Sequence, residues 1–172
     1  MPRLLRAAEN HSRSLGYRWN PAKCVVLNPP DAHGAQPLKL YGSIIPTSPS
    51  FAYLGIPFSK KGEIDTSLLL QRNVASGLAA MRNTLQPIGP RTPSFSRLTA
   101  SRLYSTFIRP CFEYGLAICT FSVKERETLE KGQDQCLRIA FGGHRKASTA
   151  VFKHMTNLPS LTERAHILGF KY

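Results

Sequence analysis

The 172 residues, of which 42% are apolar, are enough to bury one domain-sized core, and this composition argues against wholesale disorder. There are 23 basic and 10 acidic residues, a net charge of +13, and no apolar stretch approaches the roughly 18 residues of a membrane span. The positive charge is spread along the chain, with +5 over residues 1–64, +4 over 65–121 and +4 over 122–172. A single basic tail is therefore excluded, and a basic folded surface that binds nucleic-acid phosphates is favoured over one that binds an anionic membrane.

The N-terminal part of the sequence predicts one helix followed by turns and short strands. The helix spans 2–15, ends at Gly16 as its C-terminal cap, and has one apolar face. That face holds Leu4, Leu5, Ala8, His11 and Leu15. A turn is predicted at Asn20-Pro21, a strand over 23–27 and a loop over 28–37.

Two further apolar runs precede the helical part of the chain. Residues 38–41 and 43–45 flank Gly42 and predict either a tight hairpin or one bulged strand. The run Phe51–Phe58 follows a Pro/Ser-rich turn and predicts a hairpin or an edge strand. Gly55 allows close backbone approach there, and Pro57 excludes a central position in a sheet.

From Asp65 onward the apolar spacing becomes helical, and helices are predicted over 67–86, 95–118 and 123–141. Asp65 is placed to cap the first of them. The buried stripe of that helix is Leu70, Val74, Leu78, Met81 and Leu85. Gly89-Pro90 should end it, with a linker over 90–94.

The remaining helices carry their own start and stop signals. Pro110 should break or bend the second helix, because it lacks an N–H group and its ring clashes with the preceding turn. Ser122 and Ser160 each open a capping box with a glutamate three residues on. Gly142-Gly143 should end the helix over 123–141, and a shorter helix is predicted over 149–155. Trp19, Phe107 and Tyr114 are expected to be core residues.

The sequence contains no clear catalytic or metal-binding constellation. A polymerase holds two divalent metals about 4 Å apart with acidic side chains, but no two acidic residues are adjacent here. Glu63 and Asp65 flank a helix start, and Glu125, Glu127 and Glu130 lie early in a helix, where roles at the cap and the helix dipole explain them. The four cysteines form no Cys-x-x-Cys pair and read as thiols in a reducing compartment, and the histidines are too loosely spaced for a zinc finger.

An ordered series of short motifs nevertheless resembles one family, the reverse transcriptases of non-LTR (LINE-like) retrotransposons. In that family a helix leads into a Gly-x-x-x-Asn-x-x-Lys element, a Tyr-Leu-Gly strand and a helical thumb. The corresponding residues here are Gly16-x-x-x-Asn20-x-x-Lys23, Tyr53-Leu54-Gly55, Tyr104-x-x-x-Ile108-Arg109-Pro110-x-x-x-Tyr114-Gly115 and Gln133-x-x-Cys136-Leu137-Arg138-x-x-Phe141-Gly142. The similarity extends over essentially the whole sequence.

The resemblance implies an α+β fold: a small β-rich palm remnant over 1–62, followed by a helical thumb and connection region over 63–172. The family's aromatic-Ala-Asp-Asp element normally lies a few tens of residues before the first helix, whereas here Met1 comes first. We therefore expect a C-terminal fragment of an RNA-directed DNA polymerase that lacks the catalytic aspartates. Its cofactor, Mg²⁺, would belong to the complete parent enzyme, and no cofactor or metal site is expected in this chain.

The resemblance also suggests which residues would contact the template–primer duplex of RNA and DNA. Lys23 matches the lysine thought to approach the triphosphate and assist the leaving group. Tyr53, Leu54 and Gly55 match the primer grip, which holds the primer's 3′ end. The cations of the thumb helices would face the groove of the duplex. They are Arg72, Arg82, Arg97, Arg102 and Arg109.

Two alternatives stay open beside this interpretation. One is a basic, non-enzymatic protein that binds nucleic acid or supports a ribonucleoprotein, and the other is a decayed copy without function. The first interpretation adds the missing N-terminal fingers and palm of the parent polyprotein as partners. Both functional interpretations place the protein inside the cell, in a nuclear or cytoplasmic ribonucleoprotein, with no membrane partner.

Overall fold

The computed structural model describes residues 2–27, 37–88 and 96–170. It combines helices with small two-stranded sheets, so the coarse α+β class is confirmed. The chain divides into two compact units, Met1–Asp65 and Thr66–Tyr172. The boundary expected after residue 62 lies three residues before this division. All strands of the described residues belong to the first unit, and the regular elements of residues 66–88 and 96–170 are all helical.

The first unit begins with helix α1, Pro2–Ser14. A proline suits the first turn of a helix, where its missing N–H would have no partner in the helix. The helix ends at Gly16, whose φ of 73° lies in the left-handed region. The N–H of Tyr17 then donates to the carbonyl of Ser12 at 3.0 Å, the bond that closes a glycine-terminated helix. The predicted helix and its glycine cap are confirmed.

The predicted apolar face of α1 is partly wrong. Leu5 and Ala8 are half-buried as expected, but Leu4 and Leu15 are 67% and 62% exposed. The one fully buried side chain of the helix is Ser12, a polar residue. Its hydroxyl is satisfied there by the carbonyl of Glu9 at 2.8 Å, so a serine replaces an aliphatic residue at the centre of the packed face.

The strand predicted over 23–27 is shorter in the structure. Pro21–Lys23 form a 3₁₀ turn, in which the side chain of Asn20 accepts a hydrogen bond from the N–H of Ala22 at 3.0 Å. Only Val26–Leu27, β1, is a strand. The proline fixes φ at a value that suits a helical turn, and the Asn20 side chain caps that turn, so both override the β-forming residues that follow.

Five more short strands complete the unit. β2, Lys39–Leu40, pairs antiparallel with β3, Ser43–Ile44. Tyr41 and Gly42 connect them with φ of 50° and 81°, and positive φ at both central residues is what a type I′ hairpin turn requires. Of the two predicted alternatives, the hairpin is confirmed. β4, Thr47–Ser48, pairs in parallel with β1.

β5, Ser50–Tyr53, and β6, Ile56–Ser59, form a second antiparallel hairpin, which confirms the hairpin predicted for this segment. Leu54 and Gly55 occupy its two-residue turn, with φ of 48° and 79°. Leu54 is the less usual of the two, because residues other than glycine rarely adopt a positive φ.

The second unit opens with a continuous helical segment made of α2, a π turn and α3. Their bounds are Thr66–Ala80, Met81–Leu85 and Gln86–Ile88. The helix predicted over 67–86 is thus confirmed, with Asp65 directly before its first residue. The predicted stripe is also confirmed, since all five of its residues belong to or pack against the hydrophobic core.

The next helical segment is α4, Arg97–Leu103, a π turn over Tyr104–Ile108, and α5, Arg109–Glu113. Ser96 caps it by accepting a hydrogen bond from the N–H of Thr99. The segment is shorter than the predicted 95–118, because Gly115 turns the chain with a φ of 76° and Leu116–Ile118 form a separate 3₁₀ turn.

The α-helical pattern of this segment breaks directly before Pro110, as predicted. The N–H of Arg109 donates to the carbonyl of Tyr104, five residues back, so the chain widens into a π turn. Pro110 then falls in the first turn of α5, where no N–H is needed.

Three helices complete the described residues: α6, Val123–Ala140; α7, Thr149–Thr156; and α8, Leu161–Gly169. Both predicted capping boxes are confirmed, at Ser122 and at Ser160, each with its side-chain and backbone bonds to the glutamate three residues on. Gly142 ends α6 with a φ of 64°. None of the described helices is both long and apolar enough to cross a membrane.

Some predictions concern residues that the structure does not describe. The helix stop at Gly89-Pro90, the linker over 90–94 and the start of the second helix at residue 95 lie outside the described residues. The same is true of the loop predicted over 28–37, except for its last residue, Pro37.

The core of the helical unit is organised around the ring of Phe112, which is fully buried. A Cβ atom added to Gly77 of α2 would lie 2.2 Å from Cε2 of this ring, and one added to Gly132 of α6 would lie 3.0 Å from Cε1. Both helices therefore approach the ring through a residue that has no side chain. The surrounding core consists of Leu70, Met81, Leu85, Tyr104, Ile108, Leu116, Leu129, Cys136, Leu137, Ala140, Leu158 and Leu161.

A buried polar side chain fixes the end of the same segment. Nδ2 of Asn73, on α2, donates to the carbonyl of Phe112 at 3.1 Å and to the carbonyl of Tyr114 at 2.7 Å. The last carbonyls of a helix have no partner within the helix, and an unpaired buried carbonyl is costly. Asn73 meets this need and holds α5 against α2.

We predict that Gly77→Ala lowers the free energy of unfolding, although alanine is the better helix former. At an open helical site the substitution would stabilise by up to about 1 kcal/mol, whereas overpacking the Phe112 ring should cost roughly 1–3 kcal/mol. Urea unfolding followed by circular dichroism measures the difference. The matched variant Gly132→Ala, with its longer 3.0 Å contact, should lose less. A raised urea midpoint for Gly77→Ala would show that the close contact with Phe112 does not limit the size of the residue at position 77.

Candidate nucleic-acid interface

The turn of the hairpin formed by β5 and β6 carries the first set of predicted site residues. The side chains of Tyr53 and Leu54 are 61% and 74% exposed, and Gly55 completes the turn. A ring, an aliphatic side chain and a stretch of backbone are thus presented together at the tip of a short hairpin. Such a tip can contact a sugar or a base from one side without a pocket.

Lys23 is the last residue of the 3₁₀ turn, and its side chain is exposed. Its N–H donates to the carbonyl of Asn20 at 3.1 Å, which fixes the backbone of the turn. The structure therefore presents the ammonium group of Lys23 on a short, capped turn instead of on the predicted strand.

Four of the five predicted arginines lie exposed on the first two helical segments of the second unit. Arg72 is on α2, Arg82 is in the π turn that follows, and Arg97 and Arg102 are on α4. Guanidinium groups on exposed helix faces suit contacts to phosphate oxygens, which they can bind with two hydrogen bonds.

Arg109 is half-buried, and it takes part in an ion pair within the fold. Its Nε lies 3.2 Å from Oε1 of Glu113, and both side chains are largely buried. Arg164 of α8 binds the same carboxylate with two bonds, of 2.7 and 3.1 Å. The Glu113 carboxylate stabilises the charged guanidinium and so raises the pKa of Arg164 above its usual range. Glu113 thus joins α5 to α8 and neutralises part of the charge of Arg109.

Glu130 has a role that sequence reasoning missed. It was assigned to the start of α6, but its carboxylate accepts from the N–H of Thr162 at 2.9 Å and from Nζ of Lys153 at 2.9 Å. Lys153 also lies 2.9 Å from Asp134. Burial alone would lower the pKa of Lys153, but its bonds to the two carboxylates outweigh this effect and raise it. This cluster joins α6 to α7 and α8, so the explanation by the helix dipole is wrong for Glu130.

Glu125 combines its predicted cap with a contact that the sequence did not indicate. Oε2 accepts from the N–H and hydroxyl of Ser122 at 2.9 and 2.7 Å, which completes the capping box. Oε1 accepts from the hydroxyl of Thr66 at 2.6 Å, which joins the start of α2 to the start of α6. The hydroxyls of Thr66 and Ser122 lower the pKa of the Glu125 carboxyl below its ordinary value.

These carboxylates share one property, which is that protein groups already occupy their oxygens. Among the described residues, most acidic side chains accept hydrogen bonds or form ion pairs within their own unit. They include Glu9, Glu113, Glu125, Glu127, Glu130, Asp134 and Glu163. The scarce negative charge is thus largely used inside the fold, while exposed arginines and lysines dominate the surface of the described residues.

The described residues contain no group of three or more histidine, cysteine or acidic side chains that could hold a metal ion. The four cysteines are free thiols, and Cys136 is buried in the core. Burial raises the pKa of Cys136 to about 12 and also raises that of Cys119. A thiol with a raised pKa is a poor nucleophile at neutral pH, which argues against these two cysteines as catalytic groups.

Three aromatic residues that were expected in the core are exposed instead. Trp19, Phe107 and Tyr114 are 47%, 52% and 50% exposed. Tyr104 and Phe112, on the same helical segment as Phe107, take the buried positions. Phe107 lies in the π turn Tyr104–Ile108, and the buried positions of that turn are taken by Tyr104 and Ile108.

Compared with protein-family models, curated proteins and solved structures, the chain matches none.

We predict that Glu125→Gln destabilises the protein at neutral pH by about 1 kcal/mol. The amide keeps one acceptor oxygen but loses the negative charge that strengthens the bonds from Thr66 and Ser122. Because folding lowers the pKa of this carboxyl, its stabilisation is present above the ordinary value of 4.5 and is lost as the pH falls through the folded pKa. The difference between the two proteins should therefore shrink below about pH 4.5.

Urea unfolding at a series of pH values between 7 and 3 measures this difference. Glu127→Gln is the matched control. Glu127 is exposed, and its one ion pair given by the structure, with Lys131 at 3.8 Å, is long and should contribute about 0.5 kcal/mol or less. A constant difference for Glu125→Gln across the whole pH range would contradict the assignment.

Proposed function

We propose that this protein binds the template–primer duplex of RNA and DNA, as the thumb-containing C-terminal portion of a non-LTR retrotransposon reverse transcriptase. One observation carries the proposal. Arg72, Arg82, Arg97 and Arg102 are exposed on the first two helical segments after the Tyr-Leu-Gly hairpin, while most carboxylates are engaged inside the fold. The order of hairpin and helices supports the resemblance from which the proposal began.

In this proposal the helical unit provides affinity and the hairpin provides position. Arginines on helix faces contact phosphates on either side of a groove, and such contacts carry little sequence information. The duplex of RNA and DNA is recognised by its shape and its wide minor groove. Tyr53, Leu54 and Gly55 would contact the primer end, and Lys23 would lie near the phosphates of an incoming nucleotide.

The fingers and N-terminal palm of a reverse transcriptase would be the protein partner in this proposal. The two-metal site, with its Mg²⁺, would be in that part of the enzyme, and the complete particle would be a ribonucleoprotein in the nucleus or cytoplasm. This chain would then hold the duplex and contribute no step of nucleotide transfer. The second candidate function, a basic ribonucleoprotein component unrelated to polymerases, is favoured by the same spread of exposed cations.

We predict electrostatic binding with a measurable preference for duplex. If the basic surface neutralises roughly 4–7 phosphates, the slope of log K against log[salt] should be about −4 to −6, since each phosphate contributes about −0.9. Fluorescence anisotropy over a salt series measures the slope. A hybrid of RNA and DNA should compete better than a single strand of equal length at fixed salt. Equal affinity for both would favour the second candidate function.

Two variants that each remove four positive charges can separate the effect of the arginine positions on binding from the effect of net charge. The test variant changes Arg72, Arg82, Arg97 and Arg102 to glutamine. The control variant changes four exposed cations outside those helices to glutamine: Lys60, Lys61, Arg145 and Lys146. We expect the test variant to lose most of the salt slope and the hybrid preference, and the control to lose clearly less. Equal losses would show that binding follows overall charge and not a thumb surface.

We also predict that the purified chain does not extend a primer on an RNA template with Mg²⁺ or Mn²⁺. The sequence has no adjacent pair of acidic residues to hold two metal ions. Incorporation of labelled nucleotide that disappears on addition of EDTA would contradict the assignment of catalysis to another part of the enzyme.

A further inference from the structure

Two aromatic rings of the first unit form an exposed pair that the proposed duplex surface does not use. Tyr17 and Trp19 follow the glycine cap of α1, and their ring centroids lie 5.5 Å apart at an interplanar angle of 76°. Their side chains are 42% and 47% exposed. Exposed aromatic residues placed in contact with each other leave ring surface available to a planar ligand.

A third aromatic residue, Tyr41, fixes the position of this pair. Its hydroxyl accepts from the N–H of Trp19 at 3.3 Å and shares a hydrogen bond with the buried hydroxyl of Ser12. Its own N–H donates to the carboxylate of Glu9. The backbone at Trp19 is therefore bonded to a residue that α1 and the turn between β2 and β3 hold in place.

Two guanidinium groups accompany these rings. Cζ of Arg18 lies 4.7 Å from the centroid of the Tyr41 ring, and Cζ of Arg13 lies 5.8 Å from it. The carboxylate of Glu9 accepts the N–H of Tyr41. Both positive charges therefore lie over the Tyr41 ring, and the hydroxyl of Tyr41 is bonded to the backbone N–H of Trp19.

Trp19 also forms one wall of an apolar groove of about 440 Å³. The other walls include Leu5 of α1, Val26 of β1 and Leu40 of β2. This volume falls within the range of about 300–1,000 Å³ that is typical of small-molecule sites. A flat apolar group that stacks on Trp19 would therefore have further apolar surface to contact.

We propose that Tyr17 and Trp19, with Arg13 and Arg18, form a site for an unpaired base of a single-stranded nucleic acid. A nucleotide combines a planar ring and a phosphate. This site combines two exposed rings with two guanidinium groups that lie over Tyr41, whose hydroxyl is bonded to the N–H of Trp19. A purely apolar peptide would use the groove but not the two arginines. The site lies in the first unit and does not depend on the duplex surface proposed for the second.

Trp19 is the only tryptophan of the chain, so its fluorescence reports on this site alone. We would titrate the full chain with a twelve-residue oligothymidylate and with an abasic oligonucleotide of the same length and charge. Stacking of a base on Trp19 should quench the emission, whereas phosphate contacts without bases should leave it nearly unchanged. Equal quenching by both oligonucleotides would overturn the proposal, and so would quenching by an uncharged leucine-rich peptide but not by oligothymidylate.

Variants then separate a role in binding from a role in folding. Tyr17→Ala should weaken oligothymidylate binding roughly 5- to 100-fold, the range expected for one lost stacking contact, while Tyr17→Phe, which keeps the ring, should restore it. Phe170→Ala removes a 90% exposed ring of the second unit and should have no effect. Unchanged affinity in Tyr17→Ala, with an unaltered circular dichroism spectrum, would overturn the proposal.

The two proposals can fail independently. The variant with glutamine at Arg72, Arg82, Arg97 and Arg102 should keep the full quenching amplitude at saturating oligothymidylate, even if its preference for duplex is lost. Arg13→Gln combined with Arg18→Gln should weaken the quenching response without abolishing the hybrid preference. Loss of quenching in the first variant would tie Trp19 to the duplex surface and overturn a separate site.

Discussion

The packing of the helical unit depends on the contact between the Phe112 ring and two glycines. Gly77 and Gly132 let α2 and α6 approach this ring closely, because a methyl group at either position would press into it. Cores are packed as densely as crystals, so such a contact fixes the spacing of the helices around it. Asn73 adds to this arrangement, because it donates to the carbonyls of Phe112 and Tyr114 and so holds the end of α5 against α2.

Carboxylates join the helices that this core brings together. Glu125 links α2 to α6, Glu113 links α5 to α8, and Glu130 links α6 to α7 and α8. In a chain with more than twice as many basic as acidic residues, this use of the acidic side chains has an electrostatic consequence. The net charge of +13 therefore gives a positive field outside the fold, which favours a polyanionic ligand. Negative side chains thus mainly join the helices, and positive side chains are mainly available to a ligand.

The aromatic residues show how far sequence patterns can be taken. Helical spacing identified the stripe from Leu70 to Leu85, because a 3.6-residue period follows directly from helix geometry. The same reasoning misjudged Trp19, Phe107 and Tyr114, since apolar character alone does not show whether a ring faces the core. Ser12 shows the reverse case, in which a polar residue is buried because a nearby carbonyl and the Tyr41 hydroxyl satisfy it.

The sequence by itself determined the local features of this protein: the capping boxes at Ser122 and Ser160, the glycine stop at Gly16, the break at Pro110 and the change from strands to helices near Asp65. Each depends on a few neighbouring residues, so the chain specifies it locally. Only the tertiary structure decided the partners of Glu113, Glu125 and Glu130, the glycine contacts of Phe112 and the surroundings of Tyr41. Apart from the pair of Arg109 and Glu113 and the cap at Ser122, these contacts join residues 20 to 59 positions apart. Which residues meet at such separations is set by packing, which no local pattern encodes.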